Sequence, residues 1–339
     1  MAANDIILSV QNLRTEFKLR QGILRAVDNV SFDLKRGEVI GLVGESGCGK
    51  SITARSILRL IRKPGMSTGK VYFNRIDMEP LDLIALKPMG NEIRSIRGKH
   101  INMIFQEPMN ALSPVHTIAN QMIEGIMLHT KASGREARQR SIELLGNVGI
   151  PDPEKRIDSY SFQLSGGMMQ RALIAMAISC NPELLIADEP TTALDVSVQA
   201  QILKLLKNLQ RQHGMSMLFI THDLAVVAQM VGRVCVMYLG QIVEDAPVKE
   251  IFSNPKHPYT RKLMASILNP SDRRGEGLLN AIRGAVPEPI NLPHYCCFYD
   301  RCDEKCDDVC INEIPELFDT GANHKVRCFK EHSVIMKRD

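Results

Sequence analysis

An apolar run at Val39–Val43 leads directly into a turn with three glycines, which is followed by a lysine and a serine. Glycine weakens strands and helices, so a cluster of it here indicates that the backbone approaches a ligand closely. The spacing Gly44-x-x-x-x-Gly49-Lys50-Ser51 fits a phosphate-binding loop, whose backbone N–H groups surround phosphates at the start of a helix. The alternative is a glycine-rich turn without a ligand. The pattern predicts an α/β fold in which a strand, this loop and a helix follow one another.

Two side chains complete the predicted loop. Lys50 is expected to reach the β- and γ-phosphates of a nucleotide. Ser51 is expected to offer its hydroxyl to Mg²⁺, a hard cation that keeps several of its waters and accepts few protein ligands. Cys48, inside the loop, is interpreted as incidental.

A second apolar run, 184–187, ends in two acids, Asp188 and Glu189. This is the form of a buried parallel strand whose carboxyl end faces a ligand crevice. Asp188 is expected beside Mg²⁺, and Glu189 is placed to accept a proton from a water that attacks the γ-phosphate. Two acids at a strand end also occur in solvated turns, but the phosphate loop upstream favours the catalytic interpretation.

A third apolar strand, predicted at 215–220, is followed by His222. A histidine directly after a strand is commonly structural. Here it would share the sheet edge of Asp188 and Glu189, which makes it a candidate to contact the γ-phosphate or to orient the water. Alternating apolar positions around 7–10 and 30–34 predict an antiparallel start, and the helical period of 132–149 predicts a helical insertion.

Composition narrows the class of protein. The chain has 339 residues, enough for one large domain and a smaller one, and its 44% hydrophobic and 24% charged residues are ordinary for a soluble globular protein. The net charge is only +4, without a long basic block, so nucleic acid is not an expected partner. The N-terminus has no secretory signal pattern, and the apolar stretches are too short to span a bilayer. Any membrane crossing is therefore expected from other chains.

The segment LSGGMMQR, which opens an apolar helix, resembles the signature loop of ATP-binding cassette (ABC) ATPases. Further motifs of that family are present in the family's order along the chain. Gln106, before the signature segment, resembles the Q-loop glutamine. After it, Asp195 lies in a D-loop pattern and His222 resembles the switch histidine. Phe17 stands where the family often stacks an aromatic ring on adenine. The resemblance runs from about residue 6 to 250.

The resemblance implies an ABC-type phosphate-loop ATPase core, made of a RecA-like mixed sheet and an antiparallel β subdomain, with a helical subdomain at about 107–180. It implies that two such subunits pair head to tail, so that the signature residues serve the partner's nucleotide: Ser165, Gly166, Gly167 and Met168. Met168 replaces the usual glutamine, which indicates an oligopeptide-type subfamily. Mg²⁺ would be held by Ser51, Gln106 and Asp188. The residues implied to bind ATP are Phe17, Gly44, Glu45, Ser46, Gly47, Cys48, Gly49, Lys50, Ser51, Ile52, Gln106 and Asp188.

The segments Asn254–Thr260 and the tail after Gly284–Pro287 resemble the ATPases of oligopeptide and dipeptide importers. This implies a cassette domain at 1–250 and an extension at 251–339. It also implies two membrane-spanning permease subunits, an extracytoplasmic solute-binding protein, a second and different cassette subunit, and a place on the cytoplasmic face of the cell membrane. Importers for nickel, oligosaccharides or antimicrobial peptides are the nearest alternatives. Locally, His257–Tyr259 is interpreted as a capped turn before a helix.

Six of the nine cysteines crowd the tail: Cys296, Cys297, Cys302, Cys306, Cys310 and Cys328. A cytoplasmic ATPase is not expected to hold stable disulfides, so the cluster indicates metal. The resemblance implies a [4Fe–4S] cluster on Cys296, Cys302, Cys310 and Cys328, since such a cluster takes four thiolates. Zinc uses the same ligands, although no Cys-x-x-Cys pair is present. Free thiols packed as small apolar groups are the third interpretation.

Two other classes of function compete with an importer ATPase. A soluble cassette ATPase acting on ribosomes or DNA usually carries two cassettes or a coiled-coil insertion, and neither is visible. A cassette that has lost activity, with the tail as a redox or metal-sensing module, is disfavoured because Lys50, Asp188, Glu189 and His222 are all present.

Overall fold

The computed structural model describes residues 5–76, 78–107, 111–192, 194–266 and 282–336. Its strands are β1 (Ile6–Leu19), β2 (Gly22–Lys35), β3 (Val39–Val43), β4 (Gly65–Phe73), β5 (Leu81–Asp82), β6 (Ile101–Ile104), β7 (Leu184–Asp188), β8 (Ser216–Thr221), β9 (Arg233–Tyr238), β10 (Gln241–Pro247), β11 (Phe318–Asp319) and β12 (Lys325–Val326). Its helices are α1 (Lys50–Ile57), α2 (Asn91–Ile96), α3 (Ile118–His129), α4 (Gly134–Asn147), α5 (Pro153–Arg156), α6 (Gly166–Ile178), α7 (Val196–His213), α8 (Leu224–Met230), α9 (Val248–Ser253), α10 (Pro258–Ala265), α11 (Asp307–Cys310) and α12 (Phe329–Met336).

The chain divides into two compact units. The first unit contains residues up to 7, 34–38 and 86–220, and the second contains 8–33, 39–85 and 221–339. Parts of the predicted helical insertion and extension, 108–110 and 267–281, lie outside the described residues.

The first unit is built on parallel strands. β6 pairs with β7, and β7 pairs with β8, in parallel register. All five residues of β7 and all six of β8 are buried, as expected for strands covered on both faces. Helices α3, α4 and α6 pack on one another, and α6 also packs on β6. The predicted strand that ends in acids and the predicted helix within 132–149 are therefore confirmed.

The second unit begins with an antiparallel sheet, in the order β2, β1, β4, β5. β1 pairs with β4 antiparallel, with a shift of register between Gln11 and Arg14. Two residues join β1 to β2. The antiparallel start that the sequence predicts is confirmed.

The same unit contains the strand that precedes the glycine-rich turn. β3 pairs with β9 in parallel, and four of its five residues are buried. β9 and β10 form an antiparallel pair, and β12 adds to β10 with Glu244 opposite Val326. β11 pairs with β12. Strands from the end of the chain thus extend the sheet that β3 belongs to.

None of the helices in the described part of the chain combines the length and the apolar character that crossing a membrane would require.

Candidate functional site

The loop between β3 and α1 has the backbone shape that its glycines predict. Gly44 has φ +152° and Gly49 has φ +104°. A Cβ atom on Gly44 would lie 2.1 Å from the carbonyl oxygen of Met237, and one on Gly49 would lie 2.1 Å from that of Ala26. Both distances are far inside van der Waals contact, so the loop fits only without side chains at these two positions.

Lys50 is buried at the first position of α1 and turns back over the loop. Its ammonium Nζ donates to the carbonyl oxygens of Gly44, at 2.8 Å, and Glu45, at 3.0 Å. The Cys48 sulfur lies 3.6 Å from the same nitrogen. Burial is the main cause that raises the pKa of the Cys48 thiol, although the Lys50 charge opposes it. The loop therefore binds its own lysine through two main-chain carbonyl oxygens.

Other residues predicted to bind ATP lie in the loop, in the first turn of α1 and on β1. Ser46 and Gly47 are exposed, whereas Ser51 and Ile52 are half-buried in the first turn of α1. Phe17 lies on β1 opposite Gly65 of β4 and is half-buried. A Cβ on Gly65 would meet the Phe17 ring at 2.6 Å, so the glycine allows the ring to lie across the neighbouring strand.

The first unit brings together Glu189, which is predicted to be catalytic, and Gln106, which is predicted to bind nucleotide and Mg²⁺. The Gln106 side-chain amide donates to Oε2 of Glu189 at 3.0 Å. The Thr192 hydroxyl donates to the same oxygen at 2.9 Å. Glu189 has φ +48°, an uncommon left-handed conformation for a residue other than glycine. Asp188, the last residue of β7, is fully buried. A carboxylate oriented by two side-chain donors at the end of a strand is suited to activating a water.

The signature and D-loop residues begin helices of the first unit. The Ser165 hydroxyl caps α6 by accepting from the Met168 N–H at 3.3 Å. The Asp195 carboxylate caps α7 by accepting from the Val198 N–H at 2.9 Å. Hydrogen bonds from Ser197 and Val198 lower the pKa of Asp195. Ser165 and Gly166 are exposed, and Gly167 and Met168 are half-buried.

His222 directly follows β8 in the sequence and is exposed. The next residue, Asp223, caps α8 through its carboxylate, which accepts from Ala225 and Val226. The predicted capped turn at 257–259 is confirmed, because Nδ1 of His257 accepts from the Tyr259 N–H at 3.1 Å at the start of α10.

One set of contacts on the phosphate loop has no counterpart in the sequence pattern. The Glu45 N–H donates to the Tyr259 hydroxyl at 3.0 Å. The Glu45 carboxylate accepts two hydrogen bonds from the Arg301 guanidinium, at 2.9 and 3.1 Å. Tyr259 is separated from Glu45 by 214 positions in the sequence and Arg301 by 256, so no local signal could have found them.

Several of the tail cysteines lie close enough together to influence one another's pKa. All six are free thiols. Burial raises the pKa of Cys297 to about 12 and that of Cys328 to about 11. Within the residues that the structure describes, no group of three or more His, Cys, Asp or Glu side chains is arranged to hold a metal ion. The donor chemistry fits a thiolate-bound metal, but this arrangement does not.

Comparison of the sequence with protein families gives two matches. Residues 27–192 match the ABC transporter family. Residues 243–310 match the oligopeptide/dipeptide transporter C-terminal region.

Three curated relatives align over nearly the whole chain. A probable peptide ABC transporter ATP-binding protein of Sinorhizobium fredii is 46% identical, over 98% of this chain and 97% of its own length. The oligopeptide transport ATP-binding protein AppD of Bacillus subtilis is 47% identical, over 95% and 96%. The dipeptide transport ATP-binding protein DppD of Haemophilus influenzae is 44% identical, over 95% and 94%.

Solved structures with a similar fold are also ATP-binding cassettes. A dimeric cassette bound to ADP and Pi superimposes with a TM-score of 0.62 at 28% identity, over 71% of this chain and 98% of that one. A cassette from the Clostridium perfringens cbiONQ transporter complex gives a TM-score of 0.59 at 29% identity, over 74% and 92%.

Proposed function

This chain belongs to the family of ABC transporter ATP-binding proteins of the oligopeptide and dipeptide type, and from that membership we propose that it drives peptide import across a membrane. It is an ATPase with the cassette fold. The observation that carries the proposal is the match to peptide-import relatives over at least 94% of their length and of this chain.

Different residues of this chain bind the phosphates, the adenine and Mg²⁺. The backbone of residues 44–49 and the Lys50 ammonium bind the phosphates, and for this Lys50 exchanges its two carbonyl partners for phosphate oxygens. Phe17 stacks on the adenine. Ser51, Gln106 and Asp188 would hold Mg²⁺, which when bound would neutralise charge on the phosphates.

Hydrolysis depends on the oriented carboxylate. Glu189 accepts a proton from water as the water oxygen bonds to the γ-phosphorus and the bond to ADP breaks. Gln106 and Thr192 fix the carboxylate through Oε2. His222 contacts the γ-phosphate or orients the water. Gln106 is both a proposed Mg²⁺ ligand and a hydrogen-bond donor to Glu189. A shift of Gln106 would therefore alter both the metal site and the orientation of the base.

A second cassette subunit completes the working unit. Ser165, Gly166, Gly167 and Met168 present the start of α6 to the nucleotide of that subunit, where backbone N–H groups and the helix dipole favour an anion. Asp195 belongs to the same interface. The second subunit is a different cassette, so the pair is a heterodimer.

The assembly also contains two permease subunits and an extracytoplasmic solute-binding protein. The chain lies at the cytoplasmic face of the membrane and is held there by the permeases. Residues 1–250 form the cassette, with a helical subdomain at about 107–180, and residues 251–339 form the extension.

A metal group in the extension is part of the proposal. Cys296, Cys302, Cys310 and Cys328 would hold a [4Fe–4S] cluster, with Zn²⁺ as the alternative. Burial is the largest cause that raises the pKa of Cys296 and of Cys302. The support for the proposal is proximity, because Cys310 and Cys328 lie close enough to Cys296, and Cys310 to Cys302, to raise these pKa values further. The side chains would have to move together to reach one metal group, since the described thiols do not form one. When bound, such a cluster supplies redox chemistry or rigidity, and no step of ATP hydrolysis passes through it.

The test is purification of this chain from gently solubilised native membranes, with identification of the proteins that accompany it. Two multi-span subunits, a second cassette and a solute-binding protein are expected.

Vesicles containing the assembly should take up a labelled dipeptide or oligopeptide only with ATP, and Glu189→Gln should abolish uptake. Accompanying ribosomal or DNA-bound proteins would overturn the transport proposal, and uptake of nickel or an oligosaccharide instead would replace the substrate. Broad visible absorption of an anaerobic sample would identify iron–sulfur, and stoichiometric zinc would identify the alternative.

A further inference from the structure

Glu45, the residue after the first glycine of the phosphate loop, is bound twice by the C-terminal part of the second unit. Its main-chain N–H donates to Tyr259. Its carboxylate forms a bidentate ion pair with Arg301, which lies next to Cys302. A planar guanidinium paired with a carboxylate through two hydrogen bonds fixes orientation as well as distance. The loop residue is therefore held in one rotamer and one peptide orientation.

Arg301 is itself fixed in place. Only 7% of it is exposed. Its Nε donates to the carbonyl oxygen of Arg283 at 2.9 Å, and its Nη2 also donates to that of Gly284 at 3.2 Å. The guanidinium carbon lies 5.7 Å from the centre of the Tyr238 ring. A guanidinium that is buried and bound on several sides cannot follow a moving carboxylate, so Glu45 must adapt to Arg301.

An aromatic group anchors the two residues that hold Glu45. The rings of Tyr238, Tyr259 and Phe298 lie 4.8 to 5.5 Å apart, centre to centre, and all three are buried. Tilted and edge-on ring contacts at such distances are favourable beyond the area that they bury. Phe298 precedes Arg301 by one turn of 3₁₀ helix, at 299–301. The extension thus carries Arg301 on a rigid support.

The fixed position of Glu45 also affects Lys50, the lysine proposed to bind phosphate. Its carbonyl oxygen accepts from Nζ of Lys50 at 3.0 Å. The Glu45 N–H, which donates to Tyr259, belongs to the same residue as that carbonyl. A rotation of Glu45 would move both the peptide planes that follow Gly44 and the acceptor of Lys50.

We propose that Arg301 is a positioning residue for nucleotide binding, which acts through Glu45 and couples the cysteine-rich extension to the phosphate loop. The inference rests on the proposed function, because it assumes that the loop binds ATP. It assigns to the extension an effect on ATP affinity. A role limited to stabilising the extension would leave that affinity unchanged once the protein is folded.

The full-length chain offers a matched control. Arg327 is also 7% exposed, also precedes a cysteine of the tail, and donates to the carbonyl oxygens of Ile242 and Pro315. Within the part of the chain that the structure describes, none of its side-chain hydrogen bonds reaches the phosphate loop. Arg327→Met removes a buried guanidinium of the extension, and Arg301→Met removes the one that binds Glu45.

The measurement is the dissociation constant of a fluorescent ATP analogue, with competition by ATP, for each full-length variant, together with its melting temperature. Arg301→Met should weaken binding by about tenfold, because a charge-assisted pair orders the loop before ATP arrives. Arg301→Lys should recover part of this loss. Glu45→Gln should act in the same direction, and the double variant should bind no more weakly than the worse single variant. Arg327→Met should lower the melting temperature and leave the dissociation constant within about twofold.

Wild-type affinity in both Arg301→Met and Glu45→Gln would overturn the inference. An equal loss of affinity in Arg327→Met would also overturn it, because the effect would then come from general loosening of the extension. If Arg301→Met does not fold, Glu45→Gln, which changes a partly exposed side chain, decides the question alone. Failure of the wild-type chain to bind ATP would overturn the proposed function itself, and the inference with it, and this result is distinct from any difference among variants.

Discussion

Acidification should destabilise the second unit through one buried imidazole, that of His257. This residue is 2% exposed and caps α10 through Nδ1, which accepts a main-chain N–H. Burial is the largest cause that lowers the pKa of His257, to about 4, while the Glu244 carboxylate opposes it and the Arg261 and Arg327 charges add to it. A proton on Nδ1 would also break the cap. The folded protein therefore keeps His257 neutral.

The sign and size of the effect follow from proton linkage. Above the ordinary pKa of 6.5 both the folded and unfolded states are neutral, so His257 contributes no pH dependence. As the pH falls below 6.5, His257 binds a proton in the unfolded state, whereas in the folded state it binds one only near pH 4. The free energy of unfolding should fall across this window by roughly 3 kcal/mol, since one pKa unit corresponds to about 1.4 kcal/mol.

The assay is urea unfolding followed by circular dichroism, because the sequence contains no tryptophan for fluorescence. It compares wild type with His257→Asn at several pH values from about 7 to about 4.5. Asparagine keeps a side-chain acceptor for the cap and has no titrating group in this range. The variant should start less stable, because it loses ring packing, and should vary less with pH. His213→Asn, at an exposed position of α7, is the control and should behave as wild type.

A His257→Asn variant that loses as much stability as wild type between about pH 6.5 and 4.5 would refute the reasoning. Protonation of the Glu244 carboxylate does not interfere with this comparison of wild type and His257→Asn. Its pKa is lowered by the hydrogen bond with His324 and by main-chain donors, against the effect of burial. Its contribution is therefore present above the ordinary carboxyl pKa of 4.5 and is lost only as the pH falls further.

Four other predictions concern the nucleotide site and the tail. Glu189→Gln should reduce phosphate release from ATP by about 10²- to 10⁴-fold and leave ATP binding intact, and unchanged turnover would show that Glu189 is not the base. Lys50→Ala should weaken nucleotide binding by roughly 1.5 to 3 kcal/mol in a fluorescence titration, and wild-type affinity would count against the loop assignment. Gly49→Ala should abolish that binding, because the new methyl group would lie 2.1 Å from a carbonyl oxygen; normal binding would show that the loop can reshape. Replacement of Cys302 by serine should remove the visible absorption of anaerobic protein, and retention of the full spectrum would exclude this cysteine as a ligand.

Local sequence signals predicted the loop geometry and the residues that cap helices in the candidate nucleotide site. The loop after β3 requires glycine at Gly44 and Gly49, and both positions have close backbone neighbours. Ser165 and Asp195 are residue types that cap helices, and both do so here. These features depend on a few consecutive residues, so their spacing in the sequence is enough to find them.

The rest depends on contacts between distant parts of the chain. Arg301 reaches Glu45 only because Tyr238, Tyr259 and Phe298 pack together, and no periodicity encodes that packing. The cysteine spacing indicates metal chemistry but does not fix how four thiols approach one another. Resemblance predicts that Gln106 binds the nucleotide, whereas its hydrogen bond to Glu189 depends on the fold and has no local sequence signal.

The pairing of β12 with β10 bears on how such proteins evolve. Glu244 of β10 is fully buried, and its carboxylate is held by the main-chain N–H groups of Lys256 and His257 and by the imidazole of His324. A gene truncated after codon 250 would encode the carboxylate without any of these three partners, and burying an unpaired charge is among the costliest defects in a protein. Recombination between cassette genes should therefore exchange the extension only together with residue 244, and natural shortened homologues should carry an apolar or neutral residue there.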